Sequence, residues 1–265
     1  MRTVLSIPNV KTLLVDCLMA AAGNIEVLAH LQNLQSLNLD IFELDKPNIL
    51  ASPNLASLRA LTLGPTRKNN IDLAPIGAMA DLRNLSIFGQ ARNIAAVGRL
   101  RSVEHLSLNA AKTVGLGFIN TMAGLRDLKL ILGGRDNIDE VDGQGIESLE
   151  IVRVRGFDRF DHLPRWHTLK HLVIEDQIRL PALTLSAGLN DLETLRISNC
   201  KTLSALDNLS ALSRLRSLDI FETALDFEAL CARGLPPSLQ IFGFSTGRAK
   251  ADEAIQLRIE EMGFK

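Results

Sequence analysis

His105, Ser107 and Asp127 bring a base, a hydroxyl and a carboxylate into one stretch of sequence, the three groups that nucleophilic acyl chemistry uses. Such a set works when the hydroxyl rides a sharp turn and hydrogen-bond donors face the developing oxyanion. Here His105 and Ser107 sit side by side on one extended segment, with no elbow motif and no evident oxyanion donor. No catalytic role is assigned to them. The stretch 133–145, GGRDNIDEVDGQG, has the acidic and glycine-rich composition of a cation loop. Ile138 stands where a calcium loop needs a carboxylate or amide, so the stretch reads as a surface loop. Gly115 and Gly117 lack the third glycine of a dinucleotide fingerprint, and no phosphate-loop lysine motif exists. Cys17, Cys200 and Cys231 have no Cys or His partner at zinc spacing. Neither metal nor cofactor is expected, and the chain reads as non-enzymatic.

The elements that carry these residues are repeats. Eleven copies of apolar-x-x-Leu-x-Leu start at Val10, Leu34, Leu58, Leu82, Val103, Leu125, Leu149, Leu169, Leu192, Leu215 and Leu239, in steps of 20 to 24 residues. The fourth and sixth places hold pairs such as Leu37 and Leu39, Leu61 and Leu63, Leu172 and Ile174, with Val152 and Val154 in the seventh copy. A two-residue spacing puts both side chains on one face of a strand. No copy can bury that face alone, so the copies must stack. Between strands, Ile71, Leu73, Ile76 and Met79, or Leu203, Leu206, Leu209 and Leu212, recur mostly in steps of three, which predicts tight turns and 3₁₀ segments. Phe157, Phe160, Leu163 and Trp166 keep the same step and read as core.

Over roughly residues 4–247 the pattern resembles the leucine-rich repeat family, in the short-repeat form seen in intracellular phosphatase regulators and many bacterial proteins. The resemblance implies an α/β solenoid: a right-handed superhelix, bent as a horseshoe or arc, with a parallel sheet on the concave face and turns, 3₁₀ and short helices on the convex side. It divides the chain into a solenoid over 1–247, including a cap strand at Val4, Leu5 and Ile7, and a C-terminal capping helix over 248–265 read from the apolar spacing of Ala251, Ile255, Ile259 and Met262. One column departs from the family. Its ninth place is normally Asn or Cys, which satisfies backbone groups in the turn, yet here only Cys200 fits, beside Phe42, Thr66, Gln90, Ala111, Gly133, Phe157, Gln177, Thr223 and Gly247. Irregular coils and altered curvature are therefore expected.

Places three, five and seven alternate outward, onto the face where the family meets its partners. There the middle copies gather Lys129, Arg153, Arg155 and Arg196 among Ile131 and Ile151, with Asp127, His171 and Glu175 nearby. This register sets Lys129 opposite Arg153, a like-charge pair that Asp127 and Glu175, or an acidic partner, must offset. Phe88, His105, Asn109 and Phe221 complete the candidate binding residues.

Composition narrows the partner. The formal net charge of -1 gives no general pull toward nucleic acid or anionic membrane, and no aromatic platform interleaves the basic residues. No apolar run is long enough to span a bilayer or form a signal core, and three cysteines do not suggest a disulfide framework. The expectation is a monomeric cytoplasmic scaffold for a protein partner, suited to an acidic surface. The more specific alternatives are a bacterial immunity or antitoxin-type inhibitor of a toxin, and a translocated effector that binds a host protein.

Overall fold

Leucines two apart recur once per repeat, and the strands follow them. In a computed structural model of the chain, residues 9–17, 28–186 and 188–264 are described, the side chains of Cys17 and Ala110 aside. The cap strand expected at Val4, Leu5 and Ile7 lies outside the described residues. The chain falls into two units, residues 1–109 with 113–126, and residues 110–112 with 127–265.

The first unit carries the parallel strands β1 (Thr12–Cys17), β2 (Ser36–Ile41), β3 (Ala60–Leu63), β4 (Asn84–Ile87) and β5 (His105–Ala111), the last running into residues 110 and 111 of the second. Their register is that of the repeat: Leu37, Leu61, Leu85 and Leu106 form one buried column, and Leu39, Leu63, Ile87 and Leu108 a second. The returning segments add Ile71, Leu73, Ile76 and Met79, each at most 2% exposed. The 3₁₀ turn Ala74–Ala78 sets this spacing, closing with the Met79 N–H on the Ile76 carbonyl at 2.9 Å. Each such aliphatic side chain contributes roughly 1.5–3 kcal/mol on burial.

The second unit carries β6 (Asp127–Gly134), β7 (Ser148–Val152), β8 (His171–Glu175), β10 (Thr194–Ser198), β12 (Ser217–Phe221) and β13 (Ile241–Ser245) in one parallel arrangement. A two-stranded sheet, β9 (Ala182–Thr184) with β11 (Ala205–Asp207), lies in the return segments. Leu203 and Leu206 were expected in tight turns; Leu206 instead belongs to β11, and the 3₁₀ turn is confined to Leu209–Ala211. Phe157, Phe160, Leu163 and Trp166 are all buried, with Phe160 edge-on to both Phe157 and Trp166 at 5.9 Å. Gly143, at φ +71°, lets the indole close on the backbone: a Cβ there would stand 2.3 Å from Trp166 Cδ2.

The structure corrects the sequence reading in three places. The seventh copy starts at Ile146, three residues before Leu149, so Leu149 and Ile151 continue the buried columns between Leu128 and Leu172 and between Leu130 and Ile174. The stretch 133–145 is more than a surface loop, because Ile138 and Val141 are each 1% exposed and hold it to the core. The ninth column also keeps a turn-bonding side chain at two glutamines. Gln90, buried, donates from Nε2 to the Gly64 carbonyl at 3.1 Å and accepts from the Ile71 N–H, while Gln177 donates to the Ile151 carbonyl at 3.2 Å. Cys200 makes the corresponding weaker contact with the Ile174 carbonyl at 3.8 Å. Glutamine, one methylene longer than asparagine, here reaches carbonyls of the preceding repeat.

Near the C-terminus, α1 (Phe227–Ala232) begins at Asp226, whose carboxylate accepts from the Ala229 N–H at 2.7 Å. The last helix, α2 (Ala249–Glu261), buries Ile259 and half-buries Ile255. After it, Phe264 stands edge-on to Phe242 at 5.8 Å. Among the described residues no helix is long and apolar enough to cross a membrane.

Candidate interaction face

A strand with one face in the core must send every second side chain outward. In the first unit this places His105, exposed, at the start of β5, Asn109 on the same strand, and Phe88, half-buried, just beyond β4. The Phe88 N–H continues the ladder to the Leu63 carbonyl at 2.8 Å, which fixes the ring at the seventh place of its repeat.

In the second unit the outward rows can be read strand by strand. The third-place row is Asp127, Ser148, His171, Thr194, Ser217 and Ile241; the fifth is Lys129, Glu150, Val173, Arg196, Asp219 and Gly243; the seventh is Ile131, Val152, Glu175, Ser198, Phe221 and Ser245. Lys129 therefore faces Glu150, and Nζ lies 2.5 Å from Oε2. The like-charge opposition expected with Arg153 does not occur. Ile151, placed by sequence on the outward face, is 0% exposed and is no part of it.

Arg153 and Arg155 leave the row for a physical reason. Arg153, just past the end of β7, is in the left-handed region, φ +52°, as are Leu132, within β6, and Asp176, Asn199 and Glu222, at the same place of their repeats. That turn aims each N–H at the next repeat: Arg153 donates to the Glu175 carbonyl at 3.0 Å, Asp176 to Ser198 at 3.0 Å, Asn199 to Phe221 at 2.9 Å and Glu222 to Ser245 at 2.8 Å. The side chains stack as well. Arg153 Nε lies 2.5 Å from Asp176 Oδ2, and Asn199 Nδ2 donates to Asp176 Oδ1. The hydrogen bond from Arg153, with that from Asn199, holds the Asp176 carboxyl below its ordinary range. Arg155, exposed, lies one step further on, where its backbone pairs with the Gly133–Arg135 segment.

The other predicted residues lie where alternation puts them. Asp127, Lys129 and Ile131 are half-buried on β6; His171 is exposed on β8 and shares a hydrogen bond of 2.9 Å with Thr194; Glu175 is half-buried. The guanidinium of Arg196 lies over the Phe221 ring, 5.7 Å from its centroid. Sequence reading missed Ser148, Glu150 and Val152. The motif Ile146-x-x-Leu149-x-Ile151 carried the signal, since starting the copy there gives steps of 21 and 23 residues in place of 24 and 20. Among the described residues no group of three or more His, Cys, Asp or Glu is arranged to hold a metal.

No family model matches the sequence, and comparison with curated proteins finds no match. Solved structures do match. The chain is similar to TLR13 in a complex with ssRNA13, at a TM-score of 0.59 and 20% identity, over 83% of this chain and 33% of that one. It is similar to a leucine-rich repeat protein of Leptospira interrogans, at 0.53 and 16%, over 93% of this chain and 75% of that one. A chain of the Drosophila Toll–Spatzle complex matches at 0.52 and 14%, over 92% of this chain and 38% of the other. This chain thus spans about a third of the TLR13 chain and three quarters of the Leptospira protein. Among the described residues, eleven parallel strands in the register of the repeat, several of them joined through 3₁₀ turns and matched by these structures, give the chain the leucine-rich repeat fold.

Proposed function

We propose that the chain is a non-enzymatic scaffold that takes a protein partner on the outward rows of its parallel sheet. The observation that carries this reading is the composition of those rows in the second unit. Ile131 and Val152 lie side by side on the outward side, half-buried, next to the Lys129–Glu150 ion pair. Aliphatic side chains bordered by charges that are already paired suit a protein surface, which offers apolar anchors and a polar rim. Nucleic acid would need a track of cations free to neutralise phosphates, whereas Lys129 and Arg153 each hold a carboxylate at 2.5 Å. Alternating charge, in place of a basic patch, also argues for a partner of mixed surface rather than a purely acidic one. In this reading residues 1–247 are the binding solenoid, 248–265 its closing helix, and the scaffold acts as a cytoplasmic monomer.

Capture from the source cell with wild type and with Val152→Asp tests it. Val152 is on the outward side, so the variant keeps the fold, checked by circular dichroism, and should lose the captured protein. Equal recovery by both, or recovery of RNA in place of protein, would overturn the reading.

A further inference from the structure

The fifth-place row of the second unit ends on a residue with no side chain. After Arg196 and Asp219 comes Gly243, and above it, between the face of β12–β13 and α2, opens a cleft of about 770 Å³. That is the size range of sites that accept a ligand or an anchoring side chain, roughly 300–1,000 Å³. Its walls are apolar: half-buried Phe221 on the sheet side and Leu257, 63% exposed, on the helix.

Its lining is acidic, with the Arg196 guanidinium at its edge on the Phe221 ring. The lining residues include the carboxylates of Asp252 and Glu253 and no cation. A third carboxylate overhangs the floor, because a Cβ on Gly243 would stand 2.6 Å from Asp219 Oδ1 and 3.2 Å from Phe221 Cζ. Arg196 is directly opposite Asp219 on the neighbouring strand, yet its guanidinium rests on the Phe221 ring and makes no ion pair with that carboxylate. Asp252 is engaged by Thr246 and Ser245. Among the described residues, Asp219 and Glu253 have no side-chain hydrogen bond or ion pair.

We propose that this cleft takes an arginine or lysine side chain projected from a partner protein. The aliphatic stem lies between Phe221 and Leu257, and the cationic head reaches Asp219 and Glu253. Long basic side chains are built for such a site, with an apolar stem and a charged tip, and the bonds they make to carboxylates are the strong, charge-assisted kind. An apolar side chain would desolvate two carboxylates without compensation, and an acidic one would be repelled. The inference rests on the reading of the chain as a protein-binding scaffold and adds the chemistry of one anchor.

Titration of the ¹⁵N-labelled full chain with acetyl-Leu-Arg-Leu-amide, and with its Leu-Glu-Leu counterpart, tests the cleft. The arginine peptide should give saturable shifts confined to the neighbourhood of Gly243, Glu253 and Leu257, and the glutamate peptide none. Gly243→Val fills the floor, and the double variant Asp219→Asn with Glu253→Gln removes the charge. Gly243→Val should abolish the shifts, and the double variant should weaken binding at least about tenfold, the effect of losing even one charged hydrogen bond. If Gly243→Val fails to fold, the double variant, altered only at side chains without partners, decides alone. No shifts, shifts elsewhere, equal response to both peptides or unchanged affinity in the double variant would overturn the proposal. The Val152→Asp capture reads a different part of the sheet, so the cleft can fail while the scaffold reading stands, and the reverse.

Discussion

Gln177 reaches back to Ile151: its Nε2 donates at 3.2 Å to a carbonyl 26 residues earlier, in a site where the glutamine is 0% exposed. The same nitrogen donates to the part-buried Glu175 carbonyl at 2.6 Å, so one amide serves an acceptor in its own repeat and one in the repeat before. Gln177→Leu keeps the volume and removes the donor. The variant should lose about 1 kcal/mol, because the Ile151 carbonyl loses its side-chain donor while the Glu175 carbonyl keeps the Arg153 N–H, read as a lower midpoint in urea. Wild-type stability in the variant would mean that the amide is a passenger.

Ile151 and Arg153 test the register directly. Ile151→Ala opens a cavity in a column flanked by Leu130 and Ile174 and should cost about 2–5 kcal/mol, as Leu172→Ala should. Arg153 is exposed, and Asp176, its less exposed partner, keeps the hydrogen bond from Asn199, so Arg153→Ala should cost about 1 kcal/mol. Paired urea unfolding curves suffice. Similar small losses at Ile151 and Arg153 would restore the register in which both face solvent.

Most of the fold was legible because a period of two and a period near 23 both leave apolar residues in fixed places, and only burial selects for that. The outward face was less legible, since its residues are chosen by what they meet rather than by the core. The seventh copy shows the mechanism of error. Val152 and Val154 imitate the apolar pair of a strand, but Val152 is half exposed and Val154 is buried only beyond the strand end, after the left-handed turn at Arg153. A three-residue slip there moved Ile151 outward and hid Glu150. The bonds of Gln90 and Gln177 were missed for a different reason: the consensus names a residue type, whereas the physical requirement is a donor that reaches the preceding carbonyl. The cleft above Gly243 depends on the glycine, on α2 and on the lean of Asp219 and Phe221 together, and no spacing in the sequence encodes that conjunction.

Leu132 holds a backbone conformation that leucine disfavours, φ +60°, while 48% exposed. Left-handed backbone costs an ordinary L-residue roughly 1–2 kcal/mol, and asparagine enters it readily. Asn199 occupies the corresponding place three strands on. Leu132→Asn should therefore raise stability by roughly 0.5–1 kcal/mol, since little buried apolar area is given up. A higher melting temperature checks it. Unchanged or lower stability would show that the leucine makes packing contacts worth as much as the strain.

Asp252 ties the start of α2 to the end of β13, accepting from the Thr246 N–H and hydroxyl at 2.7 Å each and from the Ser245 hydroxyl at 3.0 Å. These bonds, the Thr246 N–H foremost, hold its carboxyl below the ordinary 3.8. Because the folded value is the lower one, the unfolded chain takes up the proton first. The stabilisation is complete above the ordinary value and is lost as pH falls through it toward the folded one. Amide protection in α2 should accordingly drop below about pH 4. Asp45, Asp72, Asp136 and Asp176 are lowered too and give the whole chain an acid slope, so the informative quantity is a difference. Asp252→Asn keeps an acceptor but cannot titrate: it should start from lower protection at neutral pH and lose less of it on acidification. Parallel acid limbs in the two proteins would show that Asp252 is not the group that fastens the helix.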